Sequence, residues 1–395
     1  MILGIVGRTP FAGVAWQVLH YLEGFRRLGF DVHYVEDTGA WPYDPEQNSI
    51  TADCRYTVNY IARLMTWCGL SDRWAYRFGV DGRTFGMTES EVSRVFREAD
   101  VLLNLTAATV LRDEHLRVPV RIYLETDPVL PQIEIAQARS FTIDLLSAHT
   151  HHFTYGENLG AADCEVPLGY FDYRPTRQPV VLDWWSNGRI RHKPAEALFT
   201  TIASWQQEGR DIEWRGQTYT WSKHLEFLKF LDLPRRTSQR FELALACGDS
   251  QARQLLAAHG WRVIDALPLS KDIFPYRDYV RNSRGEFTVA KDQNVRLRSG
   301  WFSDRSACYL SAGKPVITQD TGFGNMLPTG EGLFAFNTLE EIEVALEEIN
   351  SNYENHSRAA RAIADQYFKA ETVLGKMIGS LGSTNGEKIS DRQRR

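Results

Sequence analysis

An apolar run at residues 2–6, a glycine-flanked turn at 7–13, a helix with Val14, Val18, Leu22 and Phe25 on one face, and a second run at 30–35 stand in direct succession. Gly29 stops the helix. Strand, helix and strand joined this closely imply a parallel pair with a right-handed crossover. The alternation then repeats. Helical stretches at 58–68 and 89–99 precede strand candidates at 100–105 and 119–124, and a helix at 132–148 leads to a strand at 153–155. Residues 156–181 break the pattern, because Pro167, Pro175 and Pro179 disfavour regular helix.

A second alternation follows. Strands are expected at 198–204, 241–246, 261–265, 286–290, 315–318 and 332–336, with helices at 222–231, 251–259, 272–280 and 305–312. Two helices, 339–349 and 356–378, close it. The fold expected is therefore α/β, with two doubly wound Rossmann-like domains facing a central cleft. Residues 1–175 form the first and 176–382 the second, and 383–395 read as a disordered tail. A chain of 395 residues exceeds what one core usually supports, which agrees with two domains.

Charge excludes one class of partner. Against 50 acidic residues stand 45 lysines and arginines, a net charge of −5, so no general basic field is available for nucleic acid. The five cysteines are odd in number and scattered, which suits free thiols in a reducing compartment. The apolar start has no charged leader and is too short to span a bilayer, so neither an export signal nor a transmembrane segment is expected and the protein is read as cytoplasmic. No DxD or HExxH pattern occurs, and no metal site is expected.

In open α/β folds ligands bind outside the carboxyl ends of the strands. The loop at 7–13, with Arg8, Thr9 and Gly13, leads into a helix amino terminus and offers N–H groups to a polar or anionic ligand. It lacks the GxGxxG spacing. Glu125 and Asp127 end an apolar strand, where a carboxylate facing the cleft can act as a general base. His151, His152 and Glu157 flank the next strand, but adjacent histidines on a strand point to opposite faces. Lys291, with Arg296 and Arg298, forms a local cationic cluster suited to an anionic ligand. Ser303 stands where it would cap a helix beginning at Asp304. The tryptophan pair Trp184–Trp185 would suit sugar stacking, or the core.

Residues 300–322 run through Arg305 and Gly313 into an apolar strand and the polar loop Asp320, Thr321 and Gly322. This unit resembles the carboxyl-terminal half of GT-B glycosyltransferases, in particular the CgeB-like and family 1-type groups, whose helix reads approximately Arg-x-x-Glu-x-x-x-x-Gly. Arg305 and Gly313 match. The glutamate place is Cys308, and Asp304, one turn earlier, is the expected substitute for holding the ribose.

The resemblance implies a metal-independent, hexosyltransferase-type enzyme. Its co-substrate is a nucleotide-sugar, with no further cofactor, and its acceptor is a small molecule or glycan. The implied donor site comprises Ser204, Lys291, Ser303, Asp304, Arg305, Asp320, Thr321 and Gly322. Two alternatives share the architecture. One is a nucleotide-sugar 2-epimerase, and the other a non-catalytic carbohydrate- or partner-binding protein on a transferase scaffold, for which Cys308 is the argument. The oligomeric state is not readable.

Overall fold

The computed structural model describes residues 1–186, 198–207, 209–246 and 248–382. The tail expected at 383–395 lies outside them. Two large sheets carry the chain. The first has the spatial order Tyr173–Pro175, His151–Thr154, Val120–Glu125, Val101–Leu105, Ile2–Leu3, Tyr34–Glu36, Trp74–Arg77 and Thr84–Gly86. All its neighbours are parallel except the last pair, which is antiparallel. The second is parallel throughout, in the order Arg262–Asp265, Phe241–Ala246, Phe199–Ser204, Gly285–Thr288, Val316–Gln319 and Leu333–Phe336.

Strand side chains alternate between two helix layers, which is why the strands read as nearly unbroken apolar runs. In the first sheet Leu3, Val35, Ala75 and Leu102 join Val92, Val95 and Phe96 on one face. Ile2, Tyr34, Leu103, Ile122 and Phe153 join helix α1 (Ala12–Arg27) on the other. In the second sheet Phe199, Phe241, Phe287 and Phe336 pack together with Trp261. Among the described residues, no helix is long and apolar enough to cross a membrane.

The structure shortens or divides several expected elements. The first strand ends at Leu3, and Gly4 beyond it passes against the Tyr34 ring, where a Cβ would lie 2.6 Å from it. The second begins at Tyr34 and not at residue 30. The single helix expected at 132–148 is two, Leu130–Ala136 and Ser140–Ser147, separated by Ala138 with φ +58°. The last expected helix divides into Tyr353–Ile363, a π-helical turn at Ala364–Phe368 and Ala370–Leu381.

The last helix among the described residues returns to the first half. Val180 exchanges backbone hydrogen bonds with Phe368 and Ala370, at 2.7 and 2.9 Å. Ala370–Leu381 then packs along α1, and Gly24 makes the approach possible: a Cβ there would lie 2.5 Å from Leu374 Cδ1. Trp184 and Trp185 join Trp16 and Trp67 in an aromatic cluster at this seam, with ring centroids 5.0 Å apart for Trp16–Trp185 and Trp67–Trp184. Trp185 is fully buried, so it serves the core and not sugar stacking.

Candidate active site

The two halves meet at the carboxyl ends of their sheets. Lys291, just after the Gly285–Thr288 strand, reaches Asp127, just after the Val120–Glu125 strand, with Nζ to Oδ1 at 2.5 Å. Trp301 Nε1 donates to the Thr126 carbonyl at 2.9 Å, and Gln17 Nε2 of α1 donates to Asp304 at 3.2 Å. Asp304 opens the Asp304–Ser311 helix. Burial pushes its carboxyl up to about 7, and the negative charge of Asp127 adds to the push.

Arg305, on the same turn, hydrogen-bonds to Glu286, to the Ile202 carbonyl at 2.6 Å and to Thr288 at 2.8 Å. Glu286 is fully buried and gives this guanidinium a fixed counter-charge. Ser303 occupies the N-cap position, but its side chain makes no cap hydrogen bond, contrary to expectation. One turn inside, Ser306 is fully buried and its hydroxyl has no partner among the described residues. This helix start therefore presents uncapped N–H groups beside Arg305.

The residue that completes the cluster is Lys223. It precedes the helix His224–Lys229, and its Nζ lies 5.2 Å from the centre of the Trp301 ring. Among the described residues it has neither a hydrogen-bond nor an ion-pair partner. Burial lowers its ammonium to about 7, and the neighbouring charges of Arg305 and Lys291 lower it further. Lys291 is shifted downward by burial too, an effect opposed by Asp127. Lys291 also sits 3.2 Å from the centre of the Trp221 ring. Three cations thus gather around one space, two with assigned counter-charges and one without.

A short hairpin holds that space from the side. Ile212–Trp214 and Gln217–Tyr219 pair antiparallel in the second half, and Ile212 and Tyr219 pack against Val129, Ile133 and Val166 of the first. Gln137 Nε2 donates to the Glu213 carbonyl at 2.6 Å. Val129, two residues after Asp127, has φ +91°, a conformation rarely adopted by a β-branched residue and costing about 1–3 kcal/mol. Packing of its side chain in this cluster holds it there.

Several expected residues have other work. Glu125 is buried and accepts hydrogen bonds from Gln132 at 2.8 and 2.9 Å and from Thr154 at 2.5 Å. Burial raises its carboxyl to about 7. It organises the strand end, while Asp127 alone of the pair reaches the cation cluster. At the first loop, the N–H groups of Gly7 and Arg8 donate to Glu36, at 2.5 and 2.6 Å. That buried carboxylate, raised to about 7 by burial, fills the place expected for an external ligand. Gly13 faces the second half, where a Cβ would lie 3.7 Å from the Tyr276 hydroxyl. Arg8 is exposed and Thr9 half-buried.

The loop after Val316–Gln319 works as a joint between the halves. Asp320 accepts from Arg298 at 2.9 Å and from the Gly322 N–H at 2.8 Å, while Thr321 donates to the Trp301 carbonyl at 2.6 Å. Gly322, at φ +90°, lies against Asn158, whose Nδ2 would be 2.8 Å from a Cβ. Ser204 is exposed at the end of its strand. Cys308 is buried, 3.9 Å from His20 Nε2 of α1. His152 is buried against the Leu146 carbonyl at 2.9 Å, His151 contacts Thr150, and Glu157 pairs with Arg177. Arg296 is engaged by Asp292 and by the hairpin carbonyl of Thr218.

Sequence reasoning missed Lys223, Glu286, Glu36 and Ser306. Lys223 stands alone in Ser-Lys-His-Leu-Glu-Phe-Leu, without any spacing that marks a ligand site.

No family model and no curated protein matches the sequence. Solved structures do match in shape. HepE of Anabaena, in complex with UDP and glucose, is 10% identical, with a TM-score of 0.58 over 97% of this chain and 98% of its own. AviGT4, a glycosyltransferase involved in avilamycin A biosynthesis, is 11% identical, with a TM-score of 0.54 over 97% and 98%. Sucrose-phosphate synthase of Thermosynechococcus elongatus is 11% identical, with a TM-score of 0.53 over 97% and 99%. The fold is the GT-B architecture: two Rossmann-like halves around a cleft.

Proposed function

We propose that this protein is a glycosyltransferase that moves a sugar from a nucleotide-sugar donor to an acceptor hydroxyl. The observation that carries the reading is the convergence of Lys223, Lys291 and Arg305 with an uncapped helix start, opposite Asp127, between the carboxyl ends of two parallel sheets. The likeness to HepE, described with UDP and glucose, supports a nucleotide-sugar donor. Residues 176–382 are assigned the donor and residues 1–175 the acceptor. Cytoplasmic placement fits the free thiols of Cys54, Cys68, Cys164 and Cys308.

In this mechanism the diphosphate settles among the three cations and the Asp304–Ser311 amino terminus. Negative charge grows on the leaving oxygen as the glycosidic bond breaks, and fixed cations stabilise it without reorganising. Lys223 is the cation still available for an incoming anion. Asp127 accepts the proton of the attacking hydroxyl. Asp304, whose pKa of about 7 keeps both protonation states populated near neutral pH, donates or accepts a hydrogen bond at the ribose or sugar. Side-chain cations supply the charge neutralisation, so turnover is expected without an added metal, and the likeness to HepE, described with UDP and glucose, supports a hexose donor.

The test is calorimetric titration of the full chain with UDP-, GDP-, ADP- and dTDP-hexoses, followed by assay for free nucleotide and new glycoside with and without EDTA. Binding and transfer in EDTA support the proposal. A chain that binds none of these donors overturns it, and a changed sugar configuration without acceptor would make it an epimerase.

A further inference from the structure

Helix α2 (Arg55–Trp67) packs on the first sheet's core through Tyr60, Ile61, Leu64 and Met65 and leaves Asn59 exposed and Tyr56 half-buried at its outer edge. A cavity of about 400 Å³ lies beside it, lined by Tyr56, Asn59, Tyr60 and Arg63 of the first half and by Lys271 and Asp272 of the second. Another, of about 550 Å³, continues along the same helix past Asn59 and Val58 to Phe85, with Arg55 paired to Asp53 and Arg83 paired to Asp81 at its rim. Asn59 lines both. Arg63 meets Asp272 at 3.4 Å and closes the seam end. The helix is also tied to the cleft, since Thr57 Oγ1 donates to the Gly7 carbonyl at 3.0 Å.

The lining has a definite chemistry. Tyr56 and Tyr60 stack with an interplanar angle of 13°, centroids 6.1 Å apart. Tyr60 is 3% exposed, and its hydroxyl has no partner among the described residues. A buried hydroxyl left unpaired is costly, and a ligand that pairs with it recovers the difference. Acidic Glu46 and Asp272 balance basic Arg63 and Lys271 around the first cavity, which favours a neutral ligand over a polyanion. The half-buried Tyr56 ring, backed by Tyr60, with an amide, carboxylates and a guanidinium beside it, matches a pyranose, which offers an apolar C–H face and a ring of hydroxyls.

We propose that the α2 groove binds an extended, uncharged oligosaccharide, the acceptor of the transfer reaction. The acceptor role rests on the glycosyltransferase reading; the binding of a neutral glycan does not. The length of the groove, two adjoining cavities along one helix, calls for several sugar units.

The experiment is a glycan array probed with the full chain, covering α- and β-linked glucose, galactose, mannose and N-acetylglucosamine oligomers, with calorimetry on maltohexaose, cellohexaose and chitohexaose. Wild type is expected to bind a subset, and Tyr56→Ala and Asn59→Ala to weaken that binding about ten-fold or more. Tyr60→Phe keeps the ring and the packing, so its weaker glycan binding at unchanged melting temperature isolates the hydroxyl. All three variants keep wild-type nucleotide-sugar affinity. Binding of no neutral glycan, or glycan binding indifferent to all three changes, overturns the inference. Failure of wild type to bind any nucleotide-sugar instead removes the transferase reading and leaves the array result to judge the groove.

Discussion

Lys291 and Asp127 face each other across the cleft as an ion pair 164 residues apart in sequence, the lysine nearly buried and the aspartate more than a third exposed. The pair joins the proposed donor cation to the proposed acceptor base. A donor diphosphate entering the cluster competes with Asp127 for the same ammonium. Donor binding and release of the carboxylate are therefore coupled.

Asp127→Asn tests that coupling. The amide keeps size but loses basicity and charge, so turnover is expected to fall roughly 10²–10⁴-fold. Donor affinity, measured by titration calorimetry, should stay equal or become tighter, because Lys291 no longer serves a competing carboxylate. Weaker donor binding in this variant would show that Asp127 helps to hold the donor.

Lys223 makes donor binding pH-dependent. Its folded pKa of about 7 lies below the ordinary 10.5, so above pH 7 the free protein lacks a proton that the diphosphate complex favours. Donor Kd should rise with pH above about 7, by up to about ten-fold per unit. Lys223→Arg keeps the charge at every accessible pH and should flatten the profile, whereas Lys223→Met should weaken binding at all pH values. The same shift bears on stability: between pH 7 and 10.5 the unfolded chain binds the proton that the folded chain lacks, so this group's contribution to stability rises with pH across that window.

Glu36 should matter to folding before it matters to catalysis. Glu36→Ala leaves the Gly7 and Arg8 N–H groups and the Tyr34 hydroxyl, 2.9 Å away, without their acceptor. Urea unfolding should show a loss of about 3–5 kcal/mol. An unchanged midpoint would mean that water replaces the carboxylate without penalty.

Gly24 offers a reversal of ordinary helix propensity. Alanine in a helix interior usually stabilises by about 0.5–1 kcal/mol relative to glycine. Here the added methyl meets Leu374 and Ala370, so Gly24→Ala should lower the melting temperature. Leu374→Ala, costly alone, should lose less in the double variant, as a thermal double-mutant cycle would read.

The strand and helix alternation was legible because hydrophobic period is a local property, and so was the placing of Lys291 and Asp127 at strand ends that face one another. What escaped depends on distance. Nothing near Asp127 announces Lys291, and nothing near Gly7 announces that Glu36 will fill its N–H groups. The break at Ala138 carries no glycine to mark it. Glu125 shares the strand end with Asp127, but Gln132 and Thr154 turn it inward, a choice made by neighbours that the strand pattern does not contain.

The return of Ala370–Leu381 to α1 has a consequence for synthesis. A ribosome delivers residues 1–175 long before the helix that covers Gly24, so the nascent first half waits with one flank of α1 bare. Its packing is completed only after residue 381 has been made. Partial translation products therefore expose an apolar seam, and that makes them natural clients for chaperones and natural targets for proteolysis.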